Sequence, residues 1–148
     1  MSIALFRSVI LVIAFCAVTG CQDTDLTSTS KYADVIGGEY RTKTDLYAIG
    51  VYRANDDRVV NRVSVSTVRQ TGPEVAFVVP IPIGHAVRVL KVRKRFKPFD
   101  NGIEFIVALD GLNLASGVNV FIPMYRYFQS SDGFPDSNRF ERVRQPEQ

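Results

Sequence analysis

The chain of 148 residues has no tryptophan, one histidine and two cysteines. Without tryptophan it lacks the usual flat platform for stacking sugars, which weakens Glu39 and Glu74 as a glycosidase pair. With His85 as the only imidazole, a metal site would be short of its commonest ligand. A Ser–His–Asp arrangement could draw only on His85 with Ser64 or Ser66, and neither serine sits in a nucleophile-elbow motif. There is no glycine-rich phosphate loop, no internal repeat, and no segment of ten or more residues with a convincing helical period. Long apolar runs are absent too. The uncharged stretch over residues 8–22 is shorter than the roughly 17 residues that a spanning helix needs at minimum. These absences lead to the expectation of a non-enzymatic chain with no metal and no small-molecule cofactor.

What is present begins with an asymmetric apolar content. Residues 1–20 hold one positive charge, Arg7, followed by the almost wholly apolar stretch 8–18 (SVILVIAFCAV). That is the pattern of an export signal. It ends in Val18-Thr19-Gly20-Cys21, a branched apolar residue and two small ones before a cysteine, and this resembles the lipobox of bacterial lipoproteins. The resemblance covers the leader alone. It implies cleavage before Cys21, a diacylglycerol on its thiol and an N-acyl chain on the new amino terminus. Multiple acyl chains give stable anchoring. Cys16 falls in the discarded leader, so Cys21 has no partner for a disulfide in its own chain. Gln22 in place of Asp directly after the cysteine points, by the family's sorting rule, to the outer membrane, with the inner membrane as the alternative.

The remaining 128 residues read as one domain. Residues 22–31 (QDTDLTSTSK) are polar and read as a flexible tether, with a relaxed span of about 17 Å and a reach near 35 Å. The chain thus divides into a signal peptide (1–20), the lipidated cysteine with its tether (21–34), a β domain (35–128) and a loosely ordered tail (129–148), with at most a helical turn at 138–144. The β assignment rests on 17 Val against 6 Leu after the leader, since branched side chains favour a pleated surface. Period-two alternation marks Val59, Val63 and Val65 against Arg62, Ser64 and Ser66; Ile103, Phe105, Val107 and Leu109; and Val118, Val120, Ile122 and Met124. Residues 46–53 (LYAIGVYR) form a strand in which Gly50 signals a bulge or a close approach of another backbone. Residues 75–79 read as a central strand ending at Pro80. Short turn-rich connections favour antiparallel neighbours, and the expected fold is a small antiparallel barrel or sandwich of six to seven strands.

The most distinctive feature is a basic strand with Arg88, Lys91, Arg93, Lys94, Arg95 and Lys97. Simple parity puts Lys91, Arg93, Arg95 and Lys97 on one face together with Val87 and Val89, and Leu90, Val92 and Phe96 on the other. It is either a positive stripe for an anionic partner or a solvated, protected sheet edge. Tyr125 and Tyr127 form a second candidate, as interface aromatics or as plugs of the β core; Tyr40, Tyr47 and Tyr52 share that ambiguity. The net charge after the leader is only +2, from 17 basic and 15 acidic residues. The excess is therefore local.

The function expected from these features is a lipid-anchored, periplasm-facing binding module. Its partners would be the membrane through its anchor and an envelope protein, peptidoglycan or anionic lipid through the stripe, and the compartment disfavours nucleic acid. The alternatives are an inhibitor or immunity lipoprotein acting against a cell-wall enzyme, and a small envelope hydrolase.

Overall fold

The computed structural model describes residues 23–53, 59–95, 102–112, 114, 117–123 and 135–144. The protein is all-β. The described residues form nine strands, β1 (Thr24–Asp25), β2 (Glu39–Thr42), β3 (Leu46–Tyr52), β4 (Val60–Ser66), β5 (Val75–Ile81), β6 (Ala86–Lys94), β7 (Ile103–Leu109), β8 (Val120–Pro123) and β9 (Phe140–Arg144). A single 3-10 turn, Ser30–Tyr32, is the only helical element among the described residues. None of them forms a helix long and apolar enough to cross a membrane.

All nine strands belong to one sheet in the order β5-β3-β4-β8-β7-β6-β2-β9, with β1 added beside β6. Where a closed barrel or sandwich of six to seven strands was expected, the sheet is open and larger. The additional strands are short and come from near the ends of the chain, where two to five residues show too little alternation to be read from sequence. Nor is every pairing antiparallel. β4 and β8 run parallel, with Val63 opposite Val120 and Ser64 opposite Phe121, and β5, β6 and β7 lie between them in the chain.

The alternation read from sequence decides which face is dry. Val63 and Val65 of β4, Phe105, Val107 and Leu109 of β7, and Val120 and Ile122 of β8 are buried in one apolar cluster with Leu46, Ala48, Ile81, Tyr40 and Phe140. No α-helical layer covers this face among the described residues. The segment after β1 adds Tyr32 and Val35 to the same cluster. Tyr32 meets Phe105 edge to face at 6.3 Å, a favourable aromatic geometry.

The tether expected over residues 22–31 is, from Asp23 onward, laid against the sheet. β1 pairs with β6, Thr24 opposite Lys94 and Asp25 opposite Arg93. Leu26 N–H donates to Val92 O at 2.9 Å, the Thr27 hydroxyl accepts from Val92 N–H at 3.2 Å, and Gly37 N–H donates to Val89 O at 2.9 Å. β2 then continues along the same side of β6 at residues 86–88. The edge of β6 that would otherwise lie open is covered by the amino-terminal segment, which protects it from pairing with other chains. Val35 is 0% exposed, so burial of apolar side chains supplements these hydrogen bonds. At the other end of the chain, residues 140–144 form β9 against β2 and bury Phe140; they are a strand, not a helical turn or a loose tail.

The continuous apolar run of β5 is an edge strand, not a central one, and it extends through Pro80 to Ile81. Proline, which has no N–H to give to a second neighbour, is tolerated at an edge. At Gly50 the anticipated bulge is present, but what approaches it closely is a side chain and not another backbone. The β3–β5 register shifts between Gly50 and Val51, and Gly50 lies opposite Phe77, whose ring occupies the space where a Cβ would stand. Replacing Gly50 by Ala is expected to lower stability by about 1–3 kcal/mol through overpacking. Thermal unfolding should show a smaller loss from the same change when Phe77 is Leu, giving a non-zero coupling in the double-mutant cycle.

Candidate binding cleft

The basic strand is not continuous in its facing. The β6–β7 register shifts between Val89 and Lys91, with Val89 opposite Val107 and Lys91 opposite Ile106. Leu90 is thus the extra residue of a bulge, and it is exposed. A bulge reverses the parity beyond it. Val87, Val89 and Val92 therefore all enter the core, while Arg88, Lys91 and Arg93 stand on the other face, opposite Ala108, Ile106 and Glu104. The parity expectation that grouped Val87 and Val89 with Lys91 and Arg93, and Leu90 with Val92, is corrected by this one inserted residue. Lys94 is exposed at the strand end. Lys97, Tyr125, Tyr127 and Cys21 lie outside the described residues.

The decisive residue on this outer face is Glu104, which the sequence reading passed over. It sits between Ile103 and Phe105 on β7, and its side chain is 1% exposed. Three arginines converge on its carboxylate. Arg93 donates from Nε at 3.1 Å and from Nη2 at 2.9 Å to Oε2. Arg95 donates from Nη1 to Oε1 at 3.3 Å. Arg62 forms a short ion pair through Nη2 with Oε1, donates from Nε to the Ser64 hydroxyl at 2.9 Å, and comes from β4, two strands away from β7. The strand between them is β8, and Arg62 crosses it over the ring of Phe121, with 4.3 Å from guanidinium carbon to ring centroid. Arg93 lies over the same ring at 4.5 Å. The face of an aromatic ring attracts cations, more strongly where water is partly excluded.

Burial by itself would raise the Glu104 carboxyl above its ordinary value of 4.5. The hydrogen bonds and charges of Arg62 and Arg93 outweigh that effect and hold it below. Asp23, just before β1, adds an ion pair to Arg93 Nη1 at 3.0 Å.

Around this cluster the outer face forms an open cleft of about 930 Å³. Arg62, Arg93 and Arg95 line it together with Phe121, Ser64 and Asn119, and Asp23 is its only lining carboxylate among the described residues. Arg93 and Arg95 of the expected stripe thus meet at the cleft. Arg88 and Lys91 are exposed and do not line it. Of the tyrosines weighed from sequence, Tyr40 is in the core and Tyr52 lines the cleft.

The chain matches no protein-family model, no curated protein and no solved structure. The chemistry of the cleft therefore rests on its own geometry. Among the described residues no group of three or more His, Cys, Asp or Glu is placed to hold a metal ion. His85 is half-buried in the turn before β6, where its backbone N–H donates to the Thr42 hydroxyl at 3.0 Å, and its Nε2 has no hydrogen-bond partner among the described residues. Glu39 on β2 and Glu74 just before β5 fall towards opposite ends of the strand order. What the cleft offers is fixed positive charge: three guanidinium groups held by one carboxylate.

Glu104→Gln should cost about 3 kcal/mol at neutral pH, because it leaves clustered cations without their counter-charge. The sign of the pH effect follows from the depressed pKa. The carboxylate's contribution is complete above pH 4.5 and is lost as pH falls through its lower folded value. Melting temperatures of wild type and Glu104→Gln should therefore converge in acid and separate above that value.

Proposed function

We propose that the chain is an envelope lipoprotein, anchored through acyl chains on Cys21, whose β domain is a non-catalytic binding module with the arginine-lined cleft as its site. The observation that carries the binding reading is the convergence of Arg62, Arg93 and Arg95 on Glu104 at one cleft. A guanidinium donates through a planar fork that matches carboxylate and phosphate oxygens. Here three forks are oriented in advance by a buried carboxylate and an aromatic ring, so little side-chain entropy remains to be lost when an anion binds. The domain offers an anionic group a rigid, partly dry receptor. The anchor reading rests on Val18-Thr19-Gly20-Cys21, and it gives the domain a periplasm-facing position in the outer membrane.

Charge reversal at Arg93 would strip Glu104 of a partner and confuse unfolding with loss of binding, so the test leaves the cluster intact. A photo-crosslinking side chain placed at Gln70, which lines the cleft, should capture a partner in intact cells, whereas one at the exposed Ile83 outside the cleft should not. Equal labelling at both positions would remove the cleft as the site. The anchor is read separately. Mass spectrometry of the mature amino terminus should find acylated Cys21, and an unmodified start elsewhere would refute the lipoprotein reading.

A further inference from the structure

We infer that the cleft receives the phosphate of an anionic phospholipid headgroup from the membrane in which the chain is anchored, an assignment that rests on the lipoprotein reading above. The first argument is distance. Asp23 lines the cleft and pairs with Arg93, and β1 begins at the next residue against Lys94. Cys21 is two residues before Asp23, and two residues span at most about 7 Å whatever their conformation. With ten flexible residues the domain could stand off from the lipid surface. With the chain docked from Asp23 onward, acyl chains on Cys21 bring the rim of the cleft to the headgroup layer.

The second argument is charge. Arg62, Arg93 and Arg95 carry three positive charges at the cleft. Glu104 behind them and Asp23 at the rim carry two negative ones. Counted over the described residues the site is net positive, and its arginine forks suit a phosphodiester. The exposed Lys91 and Lys94 on the same strand extend the attraction towards an anionic surface.

The third is the character of the remaining lining. Asn61, Ser64, Gln70 and Asn119 supply neutral polar groups suited to headgroup hydroxyls, and Val68 lines the cleft while 63% exposed. An exposed apolar side chain beside a phosphate site fits the headgroup and acyl boundary.

The test uses the acylated protein purified from its membrane in micelles of a neutral detergent. Three probes are titrated separately by calorimetry: dihexanoyl phosphatidylglycerol, inorganic phosphate and a short polyglutamate peptide. The combined substitution Asn119→Glu and Gln70→Glu adds negative charge to the cleft without removing any arginine, and its melting temperature reports that the fold is retained. Saturable binding of phosphatidylglycerol, weakened at least tenfold in that variant, is the expected result. Binding of inorganic phosphate with none of the lipid would overturn the lipid source in favour of a soluble phosphate. Binding of polyglutamate alone would overturn it in favour of an acidic protein. Lipid binding that the double substitution leaves unchanged would remove the cleft as the site. Intact mass on the same material reports acylation independently. An unmodified amino terminus with lipid binding retained refutes the anchor and leaves the headgroup site standing.

Discussion

A carboxylate taken out of water is costly unless cations and hydrogen-bond donors replace its hydration, and the outer face of this sheet is organised around meeting that demand at Glu104. The donors come from β4 and β6, which flank β7 on its two sides at different distances. Arg93 comes from the adjacent strand and Arg95 from the residue just past its end, whereas Arg62 must cross β8. That crossing is possible because Phe121 presents a ring for the guanidinium to lie on. Four strands are thus tied together on the outer face. The directional requirements of the ion pairs also fix the relative register of β4, β8, β7 and β6 more narrowly than apolar contact would.

In the binding reading proposed above, the same arrangement also serves as the receptor. Among the described residues, Glu104 and Asp23 together leave one of the three guanidinium charges unbalanced at the cleft. The bulge at Leu90 is what makes this geometry available. It lets β6 send Val87, Val89 and Val92 into the core, and beyond the bulge it sends Arg93 to the outer face. A regular strand in the same register would have driven either a valine outward or an arginine into the apolar cluster. The amino-terminal segment completes the device by covering the open side of β6 and setting Asp23 beside Arg93.

Much of the inner face was legible in the sequence. Phe105, Val107 and Leu109, or Val63 and Val65, alternate over enough residues that a period of two is unambiguous, and a half-buried strand follows directly. Gly50 was legible for the same reason: a glycine within an otherwise apolar strand marks a place where a side chain does not fit. The cluster was only half legible. Arg93 and Arg95 stood out as part of a charge run. Glu104 and Arg62 did not, because each is a single charged residue at a position whose parity says solvent. The available signal was their strand context, a carboxylate between Ile103 and Phe105 and a cation beside Val63, but nothing local says that β4 and β6 would bring their arginines to β7.

The sequence by itself determined the β class, the inner-face residues of β4, β7 and β8, and the resemblance of residues 1–21 to a lipoprotein signal, since each depends on local periodicity or on contiguous residues. Only the tertiary structure decided the open nine-stranded sheet, the docking of residues expected to form a tether, and the meeting of Arg62, Arg93 and Arg95 at Glu104. Strand order and a one-residue bulge are long-range properties. They arise from which edges find partners once the core has formed, and no stretch of the chain encodes them alone.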